Sequence, residues 1–315
     1  MSLWLVGTGP MAEAFAKVLQ AQGRDFQVMG RGEVSAKAFE ANTGIVPIQG
    51  GVQLALQNHT PPSQAIIATS VATLEEAARS MIESGVKHLL LEKPGGLSFS
   101  GLRSLEHLAK AHGAQVSLAY NRRFFTSVQK ARELLAEDGG PVSAQFEFTE
   151  WGHVIQKVGH PSDVLRRWFL VNPTHIVDMF FYLCGKPTEL STFQSGGNDW
   201  HPSATKFVGA GVTERDVTFS YCADWDAPGR WGLEVSSATR RFIFRPIEKL
   251  SVVHKGTVKL EPVELNDTLD QDFKPGIFNE VKAFLGDGDS ESLCSLTEHC
   301  DHLDSYQRIS GYSDT

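Results

Sequence analysis

The sequence predicts two domains of different class: an N-terminal α/β domain on a doubly wound parallel sheet, and a C-terminal α+β domain on a large, mainly antiparallel, open sheet. Three observations lead there. A short apolar run, Leu3 to Val6, ends in the glycine turn Gly7-Thr8-Gly9-Pro10-Met11-Ala12 and passes into the helical spacing Ala14, Phe15, Val18, Leu19. Further strand-like runs then alternate with helical stretches, the βαβ rhythm of a parallel sheet covered on both faces. Beyond residue 122 apolar and polar residues alternate, as in Val142 to Thr149, which suits a sheet with one face covered and one open. With 315 residues the chain can fill two cores, and the expected domains are 1–121 and 122–315, the C-terminal helix being free to pack back on the first.

In the first domain the expected strands after Val6 are Gln27 to Gly30, Ala65 to Thr69, Lys87 to Glu92 and Gln115 to Tyr120, with helices such as Thr73 to Ser84 and Phe99 to His112 between them. In a G-x-G-x-x-G/A turn Gly7 permits the bend, Gly9 lets the backbone approach a pyrophosphate, and Ala12 allows close helix packing. Gly7, Thr8, Gly9, Pro10, Met11 and Ala12 are therefore expected to bind a dinucleotide; a lone glycine turn can also be purely structural, but this one opens a βαβ series. An acid roughly 20 positions on usually binds the adenosine ribose. Here the chain reads Val28-Met29-Gly30-Arg31. With no carboxylate to repel a 2′-phosphate and Arg31 to attract one, NADP is expected in preference to NAD; the other reading has Arg31 stacking on adenine or lying in solvent. Thr69 and Ser70 either line the nicotinamide side or cap the next helix. Glu92-Lys93-Pro94 follows Leu89-Leu90-Leu91 at a strand's carboxyl end, where open α/β sheets bind ligands, so the Lys93 amine is placed for chemistry.

In the second domain strand-like stretches are expected at Val142 to Thr149, Asp216 to Cys222, Arg240 to Arg245 and Leu250 to His254. Between them lies an apolar helix with Asn172 as N-cap, Pro173 as first residue and Gly185 as terminator. His175 then falls in the first turn, where the helix dipole keeps an imidazole neutral and ready to accept a proton. Asp178, one turn on, orients that ring or faces another partner. The segment Trp151 to Trp168 is long enough for a substrate lid, and Arg166 and Arg167 within it bind an anion or flank a helix at the surface. Tyr120 and Arg123, at the domain crossover, touch substrate hydroxyls or pack.

Composition excludes several classes. A formal charge of −8 opposes a surface that tracks phosphates, so nucleic acid is not an expected partner. No apolar stretch approaches the roughly 20 residues of a membrane span, and the N-terminus lacks a signal-peptide pattern, so the expected location is cytoplasmic. Cys184, Cys222, Cys294 and Cys300 form no Cys-x-x-Cys pair, as expected of a reducing compartment. Cys294, His299, Cys300 and His302 cluster without matching a zinc spacing; they read as part of a terminal amphipathic helix, and no metal is expected.

Taken together, Gly7-Thr8-Gly9-Pro10-Met11-Ala12, the strand into Glu92-Lys93-Pro94, Tyr120-Asn121-Arg122-Arg123-Phe124 and His175-Ile176-Val177-Asp178 resemble the glucose-fructose oxidoreductase and inositol dehydrogenase family, Gfo/Idh/MocA, over most of the chain. The resemblance implies a Rossmann domain, then a sheet domain whose open face makes a homodimer or homotetramer. It also implies an NAD(P)-dependent exchange of secondary alcohol and ketone on a sugar, cyclitol, sugar acid or nucleotide-sugar. It places Lys93 beside nicotinamide and substrate, adds Glu92, Lys93 and Pro94 to the cofactor set, and makes Pro94 a candidate for a cis peptide. Lys93 and His175 become the catalytic pair, with Lys93, Tyr120, Arg123, Asn172, His175 and Arg167 as substrate contacts. One position departs: many relatives carry aspartate four residues before the histidine, where this chain has Val171, and Asn172 either takes over a substrate hydrogen bond or serves only as the cap. The alternatives are a non-catalytic NADP-binding sensor and a redox-assisted glycoside-cleaving enzyme.

Overall fold

The computed structural model describes residues 2–313. One compact unit runs to Asn121 and takes back Leu269–Asp301; the other comprises Arg122–Thr268 and His302–Ser313. Among the described residues the chain passes between the units after Asn121, after Thr268 and after Asp301. The return has a packing cause: Ile277 and Val281, on the helix Ile277–Phe284, are fully buried in the same apolar cluster as Phe15, Val18 and Leu19 of the helix Pro10–Ala21.

In the first unit six parallel strands, β1 (Leu3–Val6), β2 (Gln27–Gly30), β3 (Ile48–Gln49), β4 (Gln64–Ile67), β5 (His88–Leu91) and β6 (Gln115–Leu118), lie in the order β6-β5-β4-β1-β2-β3. The two-residue strand Cys294–Ser295 adds antiparallel to β6. Every residue of β1 is buried, as are the last three of β4 and of β5, which is why these runs are continuously apolar: helices cover both faces. The chain winds outward from β1 through β2 and β3, then restarts on the other side with β4. The switch point therefore falls between β1 and β4, the place where such sheets bind ligands.

In the second unit, strands β7 (Ser143–Glu147), β8 (Pro187–Ser195), β9 (Lys206–Thr213), β10 (Thr218–Asp224), β11 (Gly232–Ser236), β12 (Arg240–Phe244), β13 (Ser251–His254) and β14 (Glu261–Pro262) form one sheet in the order β14-β13-β12-β11-β7-β10-β9-β8. Pairing is antiparallel except between β7 and β10. The helix Thr174–Cys184, buried at every residue but Tyr182, covers the inner face, where Phe180 stands 4.9 Å from Phe146 and 4.7 Å from Phe219 between ring centres. The outer face is mostly polar, but Phe193 and its cross-strand partner Val208 are 70% and 55% exposed. Among the described residues no helix is long and apolar enough to cross a membrane.

A buried polar network ties the chain's end to this unit. His201 Nδ1 donates to the Ala204 carbonyl at 2.6 Å, Nε2 accepts from the Tyr312 hydroxyl at 2.7 Å, and that oxygen accepts from the Phe169 N–H at 3.0 Å. Accepting from the Tyr312 hydroxyl uses the neutral imidazole, and burial lowers the His201 pKa from 6.5 to about 4, against a smaller opposing contribution from the Ala204 bond. The unfolded chain takes up this proton near pH 6.5 and the folded one only near 4. Stability is therefore full above pH 6.5 and falls by up to about 3 kcal/mol as pH drops to 4. Urea titrations at pH 7.5 and 5 should show this loss in the native protein and a smaller one in His201→Gln; parallel losses would remove His201 as the cause.

Candidate functional site

A cleft of about 620 Å³ opens over the switch point of the first unit, within the ~300–1,000 Å³ usual for small-molecule and cofactor sites. Gly7, Thr8, Gly9, Pro10 and Met11 form one wall, Thr69 and Ser70 another, and Arg31 a third. The two glycines have different reasons. Gly7 sits at φ +126°, and a Cβ there would run into the Ala68 carbonyl, so the protein itself demands glycine. Gly9 has ordinary extended backbone, and a Cβ would meet no protein atom within 4 Å. No internal contact explains it, whereas close approach by a pyrophosphate at the N-terminus of Pro10–Ala21 does. Gly9→Ala is expected to keep its thermal midpoint within about 2 °C and to lose dinucleotide affinity about tenfold or more. Unchanged affinity in a cofactor titration would make this turn purely structural.

Ala12 is fully buried beneath the helix and is a packing residue, not part of the wall. At the carboxyl end of β2 a Cβ on Gly30 would lie 2.8 Å from the Thr8 methyl, so no acid fits there without displacing Thr8. The Thr8 hydroxyl donates to Ser35 Oγ at 2.9 Å, and Ser35 donates to the Gly32 carbonyl at 3.0 Å. The wall residues Gly32, Ser35, Gly51, Gln53 and Glu76 were not anticipated from sequence; the Gly50-Gly51 pair, with φ +104° and +76°, was the one local signal. Gln53 Nε2 donates to Glu76 Oε1 at 2.9 Å, which satisfies part of the only acid among the described residues of this wall. Ser70 both lines the cleft and precedes the short helix Val71–Thr73, its hydroxyl 2.9 Å from that of Thr73.

Glu92, Lys93 and Pro94 stand just beyond β5, at the same carboxyl edge of the sheet but outside the cleft's own lining. Lys93 is half-buried, and the Lys93–Pro94 peptide is cis. Tyr120 is 1% exposed, with its hydroxyl 3.3 Å from His299 Nδ1, so the expectation that it touches substrate is corrected: it packs. Cys300 Sγ faces the Leu102 carbonyl at 3.6 Å, and burial pushes its thiol up to about 12. Among the described residues no three His, Cys, Asp or Glu side chains gather to hold a metal ion.

In the second unit His175 lies in the first turn of Thr174–Cys184, 5% exposed, its ring centre 6.3 Å from that of Trp231. The helix starts one residue later than expected, because Trp168–Val171 is already helical and Asn172 forms the junction. Asn172 is not a side-chain cap. Its backbone carbonyl accepts from the His175 N–H at 3.1 Å, while its amide donates at 2.6 Å to Glu150, a carboxylate only 3% exposed. Val171 is buried and apolar, so the acid nearest in hydrogen bonding to this turn comes from Glu150, two residues beyond the inward-facing Phe148. Period-two alternation through Phe146 and Phe148 was the signal for it.

One further expectation is corrected here. Arg123 is 1% exposed; its Nε and Nη2 donate to Asp178 at 2.8 and 2.7 Å, and its guanidinium lies 5.0 Å from the Tyr182 ring centre. It is a core anchor, not a sugar contact, and Asp178 is the carboxylate that holds it. Arg167, partly exposed, lies over the Tyr312 ring at 4.8 Å, with Nη2 3.5 Å from the Ser313 carbonyl. The segment from Trp151 holds two short helices, Gly152–Ile155 and Ser162–Arg166; Trp151 donates to the Gly229 carbonyl at 2.9 Å beneath Arg230.

Residues 1–120 match the model of an oxidoreductase family with an NAD-binding Rossmann fold, Gfo/Idh/MocA. No curated protein matches the chain. Solved structures resemble it over nearly its whole length. A UDP-N-acetylglucosamine 3-dehydrogenase from Acidithiobacillus ferrooxidans is 16% identical with a TM-score of 0.76, covering 100% of this chain and 98% of that one. A levoglucosan dehydrogenase in complex with NADH is 14% identical with a TM-score of 0.79, covering 98% and 95%. An oxidoreductase from Desulfitobacterium hafniense whose name calls it NADPH-dependent is 14% identical with a TM-score of 0.80, covering 98% and 94%. At such identities the likeness establishes a shared fold.

Proposed function

We propose that this chain, whose first 120 residues carry the NAD-binding domain of the Gfo/Idh/MocA oxidoreductase family, is a dehydrogenase that interconverts a secondary alcohol and a ketone on a sugar, cyclitol, sugar acid or nucleotide-sugar, with NADP as its preferred cofactor. The observation that most supports it is Gly9, a glycine no protein contact requires, at the wall of a cleft over the sheet's switch point. The fold likeness to sugar and nucleotide-sugar dehydrogenases supports the substrate class.

The nicotinamide, when bound, supplies or takes up the hydride. The backbone of Gly7 to Met11 and the helix N-terminus at Pro10 hold the pyrophosphate. Arg31, beside a strand end that carries glycine in place of an acid, binds the 2′-phosphate. Thr69 and Ser70 orient the nicotinamide side. Lys93 stabilises or protonates the substrate oxygen, and His175 is general base in oxidation and general acid in reduction. Asn172 and Glu150 hold the turn that carries His175. Association into a homodimer or homotetramer through the outer face of the second sheet, around Phe193 and Val208, belongs to the same reading.

Titration with NADPH and NADH, followed by a panel of sugars, sugar acids and nucleotide-sugars read at the reduced-nicotinamide absorbance, tests it. The expected result is tighter NADPH binding, erased by Arg31→Ala, and turnover of at least one panel member. Tight NADPH binding without turnover would make the protein a sensor instead. A clear preference for NADH would overturn the cofactor assignment.

A further inference from the structure

We propose that the indole N–H of Trp231 is a substrate-binding donor: it bonds an oxygen of the substrate next to the one that exchanges its proton with His175. This rests on the dehydrogenase reading and extends it to a residue in no motif. Trp231 immediately precedes β11, whose first residue Gly232 pairs with Glu147 of β7, so its backbone is fixed by the sheet. Trp231 is 7% exposed, and its Nε1 is buried without an acceptor among the described residues. A buried donor left in that condition carries its full desolvation cost, and such groups in folded proteins call for a specific reason.

The other indoles sharpen the contrast. Trp4 donates to Gln27 at 3.0 Å, Trp151 to the Gly229 carbonyl at 2.9 Å and Trp225 to the Phe148 carbonyl at 3.2 Å. Trp168 also lacks an acceptor but stacks near His160, at 5.1 Å. Among the described residues Trp231 alone combines an unpaired indole donor with a ring 6.3 Å from that of His175 and tilted 49° to it. The Arg122 guanidinium lies 4.9 Å from the centre of the same indole, which holds its plane by cation–π attraction. An indole N–H only donates, so its ligand must offer an acceptor oxygen: a hydroxyl, a ketone or a carboxylate, as on a polyol or its oxidised form.

Trp231→Phe keeps the ring and the arginine contact and deletes the donor. KM for the substrate is expected to rise about tenfold with kcat within about threefold, NADPH affinity unchanged and the thermal midpoint unchanged or higher. A second readout needs no turnover. In the ¹⁵N-labelled protein the Trp231 indole resonance, identified by its loss in Trp231→Phe, should shift on adding NADP together with levoglucosan, L-sorbose or UDP-N-acetylglucosamine. An unchanged KM and a stationary resonance in a protein that turns sugars over would overturn the proposal and leave the dehydrogenase intact. A resonance that moves in a protein without turnover would overturn the dehydrogenase and keep the donor. A protein with neither response loses both.

Discussion

Lys93→Met is expected to lose kcat/KM by about 10²–10⁴-fold, the usual range for removing a positioned proton donor, while NADPH affinity changes less than about threefold. Methionine keeps the length and apolar stem of lysine, so the half-buried side chain retains its packing and loses only the ammonium. The residue stands at the carboxyl edge of β5, beside β4, whose following residues Ala68 to Ser70 line the cleft. Stopped-flow or steady-state assays on the best panel substrate decide it. Retention of more than a tenth of the activity would remove Lys93 from the chemistry. His175→Ala, tested in parallel, separates a loss of proton transfer from a loss of charge stabilisation through its pH–rate profile.

The second large effect is on stability. Asp178→Asn removes the charge facing the buried Arg123 guanidinium, and Arg123→Met removes the cation facing the Asp178 carboxylate; each is expected to cost about 3–5 kcal/mol in urea unfolding. Both side chains are 1% exposed and meet through two parallel hydrogen bonds. Replacing both, as Arg123→Met with Asp178→Leu, should recover much of the loss, because desolvation of the pair opposes its Coulomb gain. A cost below about 1 kcal/mol for Asp178→Asn would show that the pair does not anchor the helix Thr174–Cys184.

The misreading of Arg123 and Tyr120 has a definite origin. A charged or hydroxylated side chain next to a motif looks the same in sequence whether it faces a ligand or a buried partner. Arg123 meets Asp178 from 55 residues away, and Tyr120 meets His299 from 179. Strand β9 was overlooked for a similar reason: its glycines depress strand propensity. Gly209 and Gly211 are needed because a Cβ would strike the Tyr221 ring and the Glu189 carbonyl respectively. The strand exists through its neighbours. By contrast β10, β12 and β13 alternate visibly, and their expected positions differ from the observed ones by only one or two residues.

The sequence by itself determined what depends on short spacing: the glycine turn, the apolar strands β1, β4 and β5, the helix with His175 in its first turn, and the position of Lys93 at a strand end. These are set by backbone sterics and hydrophobic period within a dozen residues. Tertiary structure alone decided which groups meet. It gave Asp178 to Arg123, brought Glu150 to Asn172 across 22 residues, set Gly30 where a Cβ would press on the Thr8 methyl, and set the unpaired Trp231 donor near His175. The reason is physical: burial makes an unpartnered polar group costly, and which partner it meets is fixed by the packing of distant segments.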